Sequence, residues 1–113
     1  MTKKKIEQIA EELDWTVSWD KNRDGTKFVM FSRYSSAGQD FNCEVDYENL
    51  GGIWEKVFEY YQNFDVSYEA SLWLDELGHG KNGAPYEMID VYNDMKECEE
   101  ELCKLYQALE EKK

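Results

Sequence analysis

Residues 40–47 alternate without a break, with Phe41, Cys43, Val45 and Tyr47 at one parity and Asp40, Asn42, Glu44 and Asp46 at the other. Successive side chains of a strand point to opposite faces, so this segment predicts a strand with one buried and one wet face. A lone strand of this kind cannot hide its apolar side; it needs neighbours and a cover. Upstream, Trp15, Val17 and Trp19 alternate with Thr16 and Ser18, and Lys27 to Tyr34 is rich in aromatic and β-branched residues. Turn-forming runs, Asp20 to Gly25 and Ser35 to Gln39, separate the three segments. The simplest reading is a three-stranded antiparallel meander.

Helical patterns surround it. Ile6, Ile9, Ala10 and Leu13 share one face of an N-terminal helix that Thr2 can cap. Downstream, Asn49 can cap a helix with an Ile53, Trp54, Val57, Phe58 and Tyr61 stripe that ends near Phe64. Ser67 can cap a short helix through Leu77, stopped by Gly78. After a loop from Gly78 to Ala84, Pro85 stands where a first helical residue would. Met88, Tyr92, Met95, Cys98, Leu102, Leu105, Tyr106 and Leu109 then trace a long C-terminal helix at near-heptad spacing. The expected fold is α+β, in the order α-β-β-β-α-α-α, one domain over residues 1–113. Most of the long helix's stripe is expected to serve the chain's own core, leaving a monomer or a weak homodimer.

The aromatic complement of four Trp, eight Tyr and five Phe is too large for a disordered acidic tail. No run approaches the roughly 20 apolar residues of a membrane span, and the basic start leads into Ile6-Glu7-Gln8 instead of an apolar signal core. These features predict a cytoplasmic protein. Cys43, Cys98 and Cys103 cannot all pair within one chain and form no C-x-x-C, so free thiols are expected.

Charge is unevenly spread. Residues 1–33 carry seven Lys/Arg and six Asp/Glu, whereas residues 34–111 carry four basic and nineteen acidic residues. Such a field repels nucleic acid and membrane surfaces and steers the chain toward basic protein surfaces. Direct nucleic-acid binding is therefore excluded, and a basic protein partner is expected.

Two motif fragments fail on context. Asp20-x-Asn22-x-Asp24-Gly25 matches the first half of a calcium loop, but Phe31 stands where a bidentate Glu is required, and the segment joins two predicted strands. Gly78-x-Gly80-x-x-Gly83 has the spacing of a dinucleotide fingerprint but follows a helix instead of a strand. One His and three scattered Cys make no zinc site. With His79 the single His, no Ser/His/Asp or Cys/His arrangement can be assembled. No cofactor, no metal and no catalysis are expected.

The carboxylates remain. Asp40, Glu44 and Asp46 project from one face of the third strand. Glu87, Asp90, Asp94, Glu97 and Glu101 follow 3-4-3-4 spacing on the last helix, a second row with a charge every ~5 Å over about 21 Å. A solvated helix face normally mixes signs, because like charges four residues apart repel. These eight residues are the candidate binding site for a protein partner. Reversing Asp90, Asp94 and Glu97 to Lys is expected to abolish binding with the fold intact.

Leu13-Asp14-Trp15, Tyr34-Ser35-Ser36-Ala37-Gly38-Gln39-Asp40-Phe41 and Glu55-x-x-x-Glu59-Tyr60-Tyr61-x-Asn63-Phe64-Asp65 resemble short, acidic, uncharacterised proteins of phages and conjugative elements of gut Firmicutes. More loosely, the element order and charge resemble small anti-CRISPR proteins that inhibit a CRISPR nuclease by mimicking DNA. That second resemblance implies an inhibitor that fills the nucleic-acid groove of a restriction or CRISPR effector. A duplex carries a charge per ~1.7 Å of axis, so mimicry requires the two carboxylate rows to share a face. The alternatives are a protein–protein adaptor of a mobile element without mimicry, and a structural homodimer.

Overall fold

A computed structural model describes residues 1–82 and 84–112. The chain runs α1 (Lys3–Glu12), β1 (Thr16–Lys21), β2 (Lys27–Tyr34), β3 (Asp40–Tyr47), one 3-10 turn (Leu50–Gly52), α2 (Ile53–Gln62), α3 (Val66–Ser71) and α4 (Met88–Glu111). The expected α+β order is the observed one. The strands form an antiparallel sheet in the order β1-β2-β3, which leaves β3 at an edge.

Local chemistry sets the boundaries. Thr2 caps α1 through the Lys5 amide. At its far end Asp14 takes a left-handed φ of 67°, while the Asp14 and Trp15 amides donate to the Glu11 and Ala10 carbonyls. This pair of bonds is a Schellman reversal, and it turns Trp15 back under its own helix. Gly38, at φ 87°, lets the β2–β3 turn close with the Ser35 amide donating to the Gln39 carbonyl. The Asp20–Gly25 segment is likewise a hairpin connection: the Asn22 amide donates to the Thr26 carbonyl, and Asp24 accepts from the Thr26 amide.

All three helical elements that border the sheet lie on one side of it. α1 packs along β1, α2 along β3, and α4 lies between α1 and α2. The core between the layers holds Val29, Phe31, Cys43 and Val45 from the sheet and Trp15 from the turn before β1, with Ile6, Val57, Met95, Cys98, Leu102 and Leu105 from the helices. Among the described residues, no helix covers the opposite, bare sheet face. Three cysteines are free, two of them buried. Among the described residues, no helix is long and apolar enough to cross a membrane.

Three helix boundaries differ from the sequence expectation. α2 starts after a 3-10 turn, and Asn49 makes no side-chain cap to it. The helix expected from Ser67 to Leu77 is capped by Asp65 and ends at Ser71. Beyond it, Asp75 accepts from the Leu77 and His79 amides, and the Trp73 carbonyl takes the Lys81 amide, which diverts backbone groups a helix would need. These amides, His79 first, hold the Asp75 carboxyl below the usual carboxylate range. α4 begins three residues after Pro85, at Met88, so Met88 and Tyr92 are exposed and Val91 enters the core in their place. The glycine-rich loop is tightly folded around Gly80, where a Cβ would sit 1.7 Å from the Pro85 carbonyl oxygen. Gly83, third glycine of the apparent fingerprint, lies outside the described residues.

Candidate protein-binding site

The two carboxylate rows occupy different faces. Because Phe41, Cys43, Val45 and Tyr47 are buried beneath the helices, Asp40, Glu44 and Asp46 point onto the bare face of the sheet. α4 lies on the other side. The condition for a single continuous acidic face is not met.

The α4 row also divides. Glu87 and Asp90, at its start, are exposed. Asp94 is only 5 % exposed and accepts from Ser35 Oγ at 2.6 Å, the Ala37 amide at 3.2 Å and Gln39 Nε2. Glu97 accepts from Ser36 Oγ at 2.7 Å, and Glu101 pairs with Arg33 at 3.1 Å and with Lys104 at 3.2 Å. The Arg33 guanidinium also donates to the Leu13 carbonyl and lies over the Trp15 ring. These three carboxylates therefore clamp the β2–β3 turn and the end of β2 onto α4. Their 3-4 spacing is the spacing of a helix stripe that meets a hairpin, which the sequence pattern could not separate from a free acidic face. The reversal of Asp90, Asp94 and Glu97 is accordingly expected to break the fold, since it places a Lys in the buried Asp94 site.

Carboxylates that the earlier pattern did not single out replace them. α2 packs beside β3, and between the β3 edge and the α2–α3 side runs a trench made of three adjoining hollows of about 380, 320 and 290 Å³. Neighbouring hollows share Asp46, Lys56 and Glu59, then Tyr60 and Glu69, so the trench follows β3 along its whole length. Asp40, Glu44, Asp46, Glu48, Glu55, Glu59 and Glu69 line it together with Lys56, and the Lys27 ammonium donates to the Glu48 carbonyl at one end. Among the described residues both ion pairs go to Glu101, so none of these seven carboxylates is in one. Burial, with a smaller contribution from Asp65 outside the trench, raises the Glu69 pKa.

No family model, curated protein or solved structure matches this chain. The site must be read from its own chemistry. The clue available in the sequence was Glu55-x-x-x-Glu59, a like-charged pair on the polar side of the α2 stripe. Its meaning depends on α2 lying against the β3 edge. A second exposed feature is apolar: Met88, Ile89 and Tyr92 form a shallow hollow at the start of α4, near the exposed Leu77 and Tyr86.

Proposed function

We propose that this chain is a non-catalytic binding protein that holds a basic segment of another protein against the β3 edge and α2. The observation that carries this reading is the trench: seven acidic residues line it, with the Asp40, Glu44 and Asp46 carboxylates on its sheet-face rim, against Lys56 within it and Lys27 at its Glu48 end. A surface of one sign attracts and steers in a partner of the opposite charge. This is the adaptor form of the expectations from sequence. A homodimer through the apolar stripe of α4 has little support, because Val91, Met95, Cys98, Leu102, Leu105 and Leu109 are all buried in the chain's own core.

A second reading keeps the target as a restriction or CRISPR nuclease in the bacterial cytoplasm, with the acidic trench and sheet face filling its nucleic-acid groove. Asp20, beside Asp46 across Phe28, extends the carboxylates of the bare face and favours it. It does not require the α4 row.

The test is local charge against total charge. Glu44, Asp46 and Glu59 changed together to Lys should abolish binding to poly-L-lysine and to a basic nuclease at physiological salt. The equally charged control, Glu100, Glu110 and Glu111 to Lys, should leave most of it. If both triples weaken binding alike, the trench is not the site. Adding the nuclease's own DNA separates the two readings, since competition supports the groove and simultaneous binding supports the adaptor.

A further inference from the structure

The backbone of β3 supplies a feature independent of its charge. In an antiparallel ladder, residues alternate between exchanging hydrogen bonds with their partner and pointing both backbone groups away from it. The Ser35 amide donates to the Gln39 carbonyl, which makes Ser35–Gln39 a bonded pair and assigns the parity of the ladder. In the register Tyr34–Asp40, Ser32–Asn42, Met30–Glu44 and Phe28–Asp46, the β3 members are then the unbonded set. Their N–H and C=O groups point out of the sheet. The Tyr60 hydroxyl agrees independently, since it reaches the Asn42 carbonyl from outside at 3.3 Å.

An edge of this kind invites another strand. Its charge selects which. A second copy pairing through β3 would set carboxylate against carboxylate, which is unfavourable across strands. Residues directly opposite each other share a face, so a partner residue facing Asp46, Glu44 or Asp40 must project beside that carboxylate on the bare sheet face. The partner residues between them project into the trench, toward Tyr60, Phe64, Leu72 and Trp73, with Glu59 and Glu69 beside these rings.

We propose that β3 takes up an extended segment of a partner protein as a fourth, antiparallel strand, with Lys or Arg at alternate positions opposite Asp46, Glu44 and Asp40 and apolar residues between them. This inference rests on the binding reading above and specifies its mode. The Tyr60 hydroxyl holds the Asn42 carbonyl in the free protein and gives it up to the partner's N–H.

The experiment uses three synthetic peptides and the intact protein. The parent is Lys-Val-Lys-Val-Thr-Val-Lys, acetylated and amidated, so that its termini add no charge. One derivative carries N-methyl groups on the Lys and Thr residues, whose N–H groups would face β3; the other carries them on the Val residues, whose N–H groups would face away. Binding is read by fluorescence anisotropy, and strand addition by amide exchange of Asn42, Glu44 and Asp46 in NMR spectra. The parent and the Val-methylated peptide should bind and slow exchange of those amides, whereas methylation at Lys and Thr should weaken binding by about tenfold or more. If all three bind alike and leave the amides unprotected, strand addition is refuted while charge-driven binding stands. If none binds, strand addition is refuted as well. The triple-reversal comparison on poly-L-lysine then decides the binding reading separately.

Discussion

Replacing Asp94 by Ala should cost more stability than any other single carboxylate change on α4. The side chain is almost fully buried and accepts three hydrogen bonds, from Ser35, Ala37 and Gln39, across the β2–β3 turn. A hydrogen bond to a charged acceptor contributes about 1.5–3 kcal/mol, and a buried donor left unpaired costs about 1–3 kcal/mol. These quantities overlap, because removal of the carboxylate also removes its own desolvation penalty. Ala is the better helix former by roughly 0.5 kcal/mol. The net expectation is a loss of about 3–4 kcal/mol, a large part of the 5–15 kcal/mol typical of a domain. For a chain of this length that corresponds to a fall in Tm of about 15 °C. Urea titration followed by circular dichroism measures it directly, and Asp94→Asn, which keeps one acceptor, should lose less. A double-mutant cycle with Ser35→Ala should show coupling of about 1 kcal/mol or more. A loss below about 0.5 kcal/mol for Asp94→Ala would show that the carboxylate is solvated and does not dock the turn.

Other consequences follow from burial and backbone geometry. In the native protein at pH 8, a thiol reagent should label Cys103 quickly and reach Cys43 and Cys98 only after denaturation, because burial pushes both thiols up to about 12. Burial also pushes the Tyr60 hydroxyl to about 12. These groups hold their protons more tightly folded than unfolded, so their contribution is complete below about pH 9 and is lost as pH rises toward 12; melts from pH 8 to 11 should show falling stability. Gly80→Ala should destabilise by about 2 kcal/mol or more in urea titration, since its Cβ would overlap the Pro85 carbonyl. Asp14→Gly should stabilise by up to about 1 kcal/mol, because its left-handed φ of 67° costs a residue with a Cβ and costs glycine nothing.

The strands were legible in the sequence because their side-chain period is set by the backbone alone. Phe41, Cys43, Val45 and Tyr47 are buried and Asp40, Asn42, Glu44 and Asp46 are exposed, as their alternation required. The same holds for α1 and for the stripe of α4 from Met95 onward, where period and burial coincide. The short α3 was less legible: side-chain capture of backbone amides by Asp75 ended the helical pattern early, a contest decided by turn geometry that composition does not record. The fate of each carboxylate lay further from view. Asp94 and Asp90 are the same residue type on the same helix, one docked under a turn and the other in solvent. What separates them is the approach of Ser35, Ala37 and Gln39, more than fifty positions away in the chain. Glu59 gained its place in the trench in the same way, when α2 settled against the edge of β3. The sequence by itself determined the elements, the buried parities and the sign of the surface. Only tertiary packing decided which carboxylates were consumed as internal hydrogen-bond acceptors and which stayed free, because that depends on what lies across the interface and not on spacing along one helix.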